Sequence, residues 1–226
     1  MFNVNNKNIL ITGATSGIGK ESALALAKMG ANITFIARNK AKAKNLLNDI
    51  NKISSGHNSF IIADLSSQKD IKAASENYIN KNISLDILLN NAGLINFKRK
   101  ETIDGLEETF ALNHLAYFSL TNLLLDKIKE SSSARIVNVS SAAHQFVKRM
   151  NFDDIQSEKS YKPFQVYGYT KLANILFTKK LSSILKDKKI SVNCLHPGVV
   201  GTSFGQNNTN NLNKVLSFIA KPFMRT

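Results

Sequence analysis

The chain has 226 residues, enough for one sizeable domain, and no shift in composition divides it, so a single domain over 1–226 is expected. Hydrophobic residues make up 43% and charged residues 20%, which excludes a disordered chain, and no apolar run reaches the roughly 18 residues that a membrane span needs. The formal charge of +14 comes from lysines spread among asparagines rather than gathered into a patch, which argues against nucleic acid, while a polar start and the single cysteine, Cys194, point to a cytoplasmic setting.

In chain order, the run Asn8 to Thr12 has the continuous apolar character of a strand covered on both faces, the mark of a parallel sheet. It runs into Gly13-Ala14-Thr15-Ser16-Gly17-Ile18-Gly19, then an Ala/Leu-rich helix from Glu21 to Met29 closed by Gly30. Together they make a phosphate cradle: glycines let the backbone approach a pyrophosphate, and the free N–H groups and dipole of a helix start favour its charge. A second strand, Asn32 to Ala37, is followed by Arg38, about 20 residues beyond the glycines, where an acid for a ribose hydroxyl is expected. A guanidinium forks onto a 2′-phosphate instead, so NADP is preferred and NAD stays open.

A Lys/Ala/Leu helix (Lys40 to Lys52) and a third strand (Ser59 to Ala63, ending at Asp64-Leu65) come next, then a helix from about Gln68 to Tyr78 capped by Ser66 or Ser67. A fourth strand, Leu85 to Leu89, opens into Asn90-Asn91-Ala92-Gly93. One long helix over roughly Gly105 to Glu130 carries Phe110, Asn113 and Tyr117 at helical spacing. The fifth strand, Arg135 to Val139, ends in Ser140-Ser141, whose hydroxyls alternate to opposite faces. Past an insertion with aromatic, acidic and basic residues lies Tyr167-Gly168-Tyr169-Thr170-Lys171, which on a helix sets Tyr167 and Lys171 on one face. A cation within about 4 to 6 Å favours the phenolate, making Tyr167 a candidate general acid. The sixth strand, Ile190 to Leu195, leads into His196-Pro197-Gly198-Val199-Val200-Gly201-Thr202; His114 and His144 read as packing or loop residues, with no metal set.

The G-x-x-x-G-x-G turn, Asn90-Asn91-Ala92-Gly93, the Ser140-Ser141 strand end, Tyr167 with Lys171, and Pro197-Gly198 together resemble the short-chain dehydrogenase/reductase family. The phrases Asn138 to His144 and Thr170 to Phe177 are similar to its retinol dehydrogenase and WW-domain oxidoreductase branch. The resemblance implies an α/β fold, a Rossmann-type doubly wound parallel sheet of six strands flanked by helices. It implies an NADP-dependent oxidoreductase, working without metal, that interconverts an alcohol and a lipophilic aldehyde or ketone. The alternative is a dinucleotide-binding scaffold of the same fold with impaired catalysis.

By the same resemblance the catalytic residues are Asn113, Ser141, Tyr167 and Lys171, with Ser140 auxiliary. Asn113 would kink its helix and hold a proton-relaying water, Ser141 would orient the substrate oxygen, and Lys171 would lower the Tyr167 pKa and bind the nicotinamide ribose. The cofactor would lie on Gly13, Thr15, Ser16, Gly17, Ile18 and Gly19, on Arg38, Asp64 and Leu65, on Asn90, Ala92 and Gly93, and on Pro197, Gly198, Val200 and Thr202. Residues 142–166 and 199–226 would supply substrate-side loops and a lid, with an apolar helix from Leu212 to Phe223 that covers the substrate or lies on a membrane surface. A homodimer through the helices carrying Asn113 and Tyr167 is implied. The family's usual seventh strand finds no match, so strand six is expected at a sheet edge, with lowered stability and doubtful tetramerisation.

Overall fold

The computed structural model describes residues 3–198. Among them a sheet of six parallel strands runs in the order β3-β2-β1-β4-β5-β6. The strands are β1 (Asn8–Thr12), β2 (Asn32–Ala37), β3 (Ser59–Ile62), β4 (Ile87–Asn90), β5 (Ala134–Val139) and β6 (Ile190–Leu195). Helices α1 (Gly17–Lys28), α2 (Lys40–Asn51) and α3 (Gln68–Ile79) join the first four, and α7 (Pro163–Ile184) precedes the last. This is the doubly wound Rossmann arrangement, and its strand order reverses between β1 and β4, opening a crevice at their carboxyl ends.

Alternation along the strands builds a core on each face. Ile9, Ile11, Ile33 and Phe35 pack with Ala23 and Ala27 of α1 and with Ala43, Leu46 and Ile50 of α2. Leu10, Ile36, Leu88 and Ile136 point the other way, against Ile71, Ala74 and Tyr78 of α3 and Leu181 of α7. Burial on both faces is why β1 and β2 read as unbroken apolar runs.

Some boundaries differ from the sequence reading. Helix α1 begins at Gly17 rather than Glu21, because the end of the glycine turn is itself the first helical turn. Strand β4 begins at Ile87 rather than Leu85: the Asp86 carboxylate instead ties the sheet's lower edge, accepting from the Asn8 N–H at 2.9 Å, Lys7 Nζ at 3.2 Å and Ser131 Oγ at 2.6 Å.

The expected single helix from Gly105 to Glu130 is broken into α4 (Glu108–Phe110), a π-helical turn (Ala111–Leu115), α5 (Ala116–Leu123) and α6 (Leu125–Lys129). Its cause is side-chain intrusion: Asn174 Nδ2 takes the Asn113 carbonyl at 2.8 Å, and the Asn113 amide reaches out to Leu94, so the regular ladder is diverted. The insertion after Ser141 forms two short 3₁₀ turns, Ala142–Phe146 and Phe152–Asp154, before α7 starts at Pro163. Val200, Thr202, the expected lid and the Leu212 to Phe223 helix lie outside the described residues. Strand β6 pairs with β5 and with no other strand among the described residues. No helix of the described residues is long and apolar enough to cross a membrane.

Candidate active site

Helix α7, the end of β5 and the π-helical turn meet above the crevice. One turn of α7 separates Tyr167 from Lys171, and the Lys171 Nζ lies 5.5 Å from the centroid of the Tyr167 ring and 5.7 Å from that of Tyr117. Lys171 is buried and donates to the Val139 carbonyl at 3.0 Å, while its own carbonyl accepts from Ser140 Oγ at 2.9 Å. These reciprocal bonds clamp α7 to the end of β5. Ser140 is thereby closed off from the crevice. Ser141, pointing the other way, is half-buried; its Oγ accepts from the Ala143 N–H at 3.2 Å and shares a hydrogen bond with Tyr167.

Burial pushes the Tyr167 phenol up to about 12, opposed only by its bond to Ser141, and pushes Lys171 down to about 8. The phenol therefore stands above its ordinary value rather than below it, against the expectation that Lys171 lowers it, and burial is the larger cause. Tyr167 is consequently a phenol that keeps its proton at neutral pH, ready to donate.

Asn113 sits in the π-helical turn, fully buried. Its Oδ1 accepts from the Leu94 N–H and its Nδ2 donates to the Leu94 carbonyl, both at 2.8 Å, with a further bond from Nδ2 to Thr170 Oγ1 at 3.2 Å. The side chain is therefore fully engaged in fixing the segment that follows Gly93. A Cβ on Gly93 would lie 3.3 Å from Asn113 Oδ1 and 3.7 Å from Lys171 Nζ, so the small residue keeps the space beside the lysine open. Tyr117, noted in the sequence only for its spacing, donates to the Ala92 carbonyl at 2.9 Å and flanks Lys171. His114 packs between Phe110 and Phe177 with Nδ1 2.9 Å from Asn174 Oδ1, and His144 Nδ1 lies 2.7 Å from the Ser141 carbonyl.

At the other side of the crevice the glycine turn is stitched to the end of β4. Thr12 Oγ1 accepts from the N–H groups of Asn91 and Ala92 at 2.8 and 2.9 Å, and Asn91 Nδ2 donates to the carbonyls of Thr12 and Gly13 at 3.0 and 3.2 Å. Gly13 has φ +67°, and a Cβ there would come within 2.7 Å of Ala92 Cα, so both its conformation and this approach require glycine. Ser16, before α1, makes no side-chain capping bond, and the first turn of α1 carries no acidic residue. The helix start around Thr15, Ser16, Gly17, Ile18 and Gly19 thus offers N–H groups and a positive dipole end to an anion, which fits the pyrophosphate of a dinucleotide.

Sequence reasoning chose Asn90 and passed over Asn91 and Thr12. The Asn90 side chain is fully buried and braces the interior, donating to Thr121 Oγ1 at 3.1 Å and Asn138 Oδ1 at 2.9 Å. Neighbours on a strand point to opposite faces, so only one of the two asparagines can reach the glycine turn; strand periodicity was the available signal.

Arg38 and Asp64 stand at adjacent strand ends with Nη1 3.9 Å from Oδ2, both half-exposed. The other Asp64 oxygen accepts from the Ser66 N–H at 3.0 Å and its hydroxyl at 2.8 Å, leaving Ser67 to cap α3 by accepting from Asp70 N–H at 3.2 Å. Leu65 beside them is buried. Pro197 and Gly198 are exposed just past β6, with Gly198 at φ +75°.

The family model for short chain dehydrogenases matches residues 7–213. Retinol dehydrogenase 12 of Mus musculus is 40% identical over 204 residues, covering 89% of this chain and 64% of that protein. Retinol dehydrogenase 13 of Homo sapiens is 41% identical over 202 residues, covering 88% of this chain and 61% of that protein, so the chain spans less than two thirds of the length of either relative. Among solved structures, the Pseudomonas aeruginosa RhlG/NADP active-site complex matches with a TM-score of 0.73 and 26% identity over 89% of this chain and 77% of that one. A parallel sheet in this order, a glycine turn at its switch point, and relatives this similar over most of the chain lead to one conclusion: the chain belongs to the short-chain dehydrogenase/reductase family, in its retinol dehydrogenase branch.

Proposed function

We propose that this chain is an oxidoreductase that interconverts an alcohol and a lipophilic aldehyde or ketone, using NADP(H) in preference to NAD(H). The observation that carries the reading is the Tyr167 phenol, hydrogen-bonded to Ser141, with the Lys171 Nζ 5.5 Å from its ring. A bound nicotinamide dinucleotide supplies the hydride for reduction and accepts it for oxidation. Ser141 positions the substrate oxygen, and Tyr167 donates its proton to that oxygen in reduction or withdraws it in oxidation. Lys171 holds positive charge beside the phenol as it ionises, and with a dinucleotide bound it would donate to the nicotinamide ribose. Asn113, through Leu94, keeps the wall next to Lys171 in place.

Arg38 supports the NADP preference, as does the NADP complex of a relative with the same fold. The lipophilic substrate is supported by the names of the retinol dehydrogenase relatives. It is also supported by Phe164, three residues before Tyr167, whose ring meets that of Phe97 edge to face with centroids 6.1 Å apart. A homodimer through α5 and α7 is consistent with the exposed Phe118 and Leu176 on these helices.

The test is NADPH oxidation with a panel of lipophilic aldehydes, for the parent and for Tyr167→Phe. The variant should lose about 10²–10⁴-fold in turnover with nucleotide affinity retained. Dinucleotide binding without turnover in the parent would favour the scaffold, and full activity in Tyr167→Phe would overturn the mechanism.

A further inference from the structure

At the amino ends of β2 and β3, the surface opens into a depression of about 540 Å³. It is distinct from the crevice: from Thr34 on its wall to Arg38 at the cofactor end, four residues of extended chain span about 13 Å. The loop after α2, the first residue of β3, and Lys81 just after α3 form the wall, and neither Asp nor Glu lines it.

The loop's shape is set by its own bonds. Asn58 Oδ1 accepts from the Ile33 N–H at 3.0 Å and Asn58 Nδ2 donates to the Gly56 carbonyl at 2.9 Å, while the His57 N–H donates to Asn32 Oδ1 at 2.9 Å. Ser54 Oγ accepts from the Gly56 N–H at 3.1 Å, which leaves its own proton to donate. The Lys81 ammonium donates to Ser59 Oγ at 2.5 Å, and that oxygen lies 3.1 Å from Thr34 Oγ1. Two of its N–H bonds then remain for another acceptor. Among the described residues no carboxylate reaches Lys81 within 4.0 Å. Partial burial lowers its pKa, as for a cation drawn away from water without a counter-ion.

We infer that this depression binds a phosphate monoester of a small polar organic molecule, with Lys81 and the hydroxyls of Ser54 and Ser55 donating to the phosphate. A lysine and several hydroxyl donors, with no acid among them, match a doubly charged group that only accepts. The volume exceeds what the phosphate fills and leaves room, among Asn51, His57 and Ile83, for the organic part.

The test is hydrogen exchange followed by mass spectrometry on the whole chain, with glucose 6-phosphate, inorganic phosphate or glucose as probes. Segments 54–59 and 79–83 report this depression, and 13–19 reports the cofactor turn separately. Glucose 6-phosphate should slow exchange several-fold in 54–59 and 79–83, glucose should not, and Lys81→Met should abolish the effect. Ser55→Leu, at an exposed loop position, should abolish it equally, by removing a proposed donor and filling the space while leaving the lysine in place. Absence of protection at 54–59, or protection that survives both variants, would overturn the site. Equal protection by inorganic phosphate would overturn the assignment to a monoester.

Discussion

The Lys171 ammonium donates to the Val139 carbonyl at 3.0 Å, and this bond joins the active-site helix to the strand that ends in Ser140 and Ser141. A fixed, buried cation has a pH signature. Lys171 is held down to about 8 by burial, whereas an unfolded lysine keeps its proton to about 10.4. Between those values the unfolded chain binds more protons, so the Lys171 contribution to stability rises with pH across that window; below about 8 the cost of the buried charge is fully present. Urea unfolding at pH 7 and pH 10 should show the parent gaining on the order of 2 kcal/mol relative to Lys171→Met. In parallel, kcat/KM for NADPH, which reports the free enzyme, should fall above about pH 8 as the ammonium is lost. A stability difference that does not change with pH would place the proton elsewhere.

Arg38 is the cofactor-selecting residue of this reading, and its 3.9 Å approach to Asp64 is too exposed to hold it closed. A half-exposed pair of this kind contributes at most about 1 kcal/mol, so the guanidinium is available to a 2′-phosphate. Arg38→Ala should lower NADPH affinity about 10–100-fold, the loss of one or two charge-assisted hydrogen bonds, and leave NADH nearly unchanged. Fluorescence titration with both nucleotides measures the ratio; an unaltered ratio would remove the case for NADP preference.

What could be read in the sequence was what repeats with a period or turns on glycine. The apolar runs of β1 and β2, the Gly13 to Gly19 turn and the one-turn spacing of Tyr167 and Lys171 each have a local cause, and local causes leave local marks. Asn113 was legible as an oddity in a helix, yet the break around it depends on Leu94 and Asn174, 19 and 61 residues away. The sign of the Tyr167 shift was missed for a related reason. Helical spacing gives the distance to a cation but says nothing of burial, which here decides the outcome.

Glu107 ties the insertion to the same centre. Fully buried, its carboxylate accepts from the N–H groups of Thr109 at 2.9 Å and Phe110 at 2.6 Å, just ahead of the π-helical turn that carries Asn113. Its own N–H donates to Gln156 Oε1 at 2.9 Å, and Tyr161 Oη donates to the Asn96 carbonyl at 2.9 Å beside it. Glu107→Ala removes a cap and opens buried N–H groups, and should cost about 2–4 kcal/mol in urea unfolding. Tyr161→Phe should cost only about 1 kcal/mol and, if residues 142–166 form the proposed substrate-side loop, act chiefly on KM by loosening it. An equal fall in kcat with KM unchanged would mean that the clasp serves the chemical step instead.

Asn113 offers a way to separate a structural role from a proton-relay role at one residue. If its amide only positioned a water, removing it would slow turnover and leave the fold's stability intact. The bonds point the other way: one amide closes a pair of 2.8 Å bonds with the N–H and carbonyl of Leu94, next to the Gly93 position that faces Lys171. Asn113→Ala leaves the half-buried N–H and carbonyl of Leu94 without this partner and empties a fully buried side-chain site, and each unpaired group costs up to about 1–3 kcal/mol. The expected result is a loss of about 2–4 kcal/mol, which for a chain of this size lowers Tm by roughly 5–15 °C. Asn113→Asp keeps an acceptor for the Leu94 N–H but sets a second acceptor against the Leu94 carbonyl and brings a buried negative charge, so it should be no better than alanine. Calorimetry on both variants decides the matter, because a Tm within a degree of the parent would show that the Leu94 bonds are replaceable and return Asn113 to the chemistry alone.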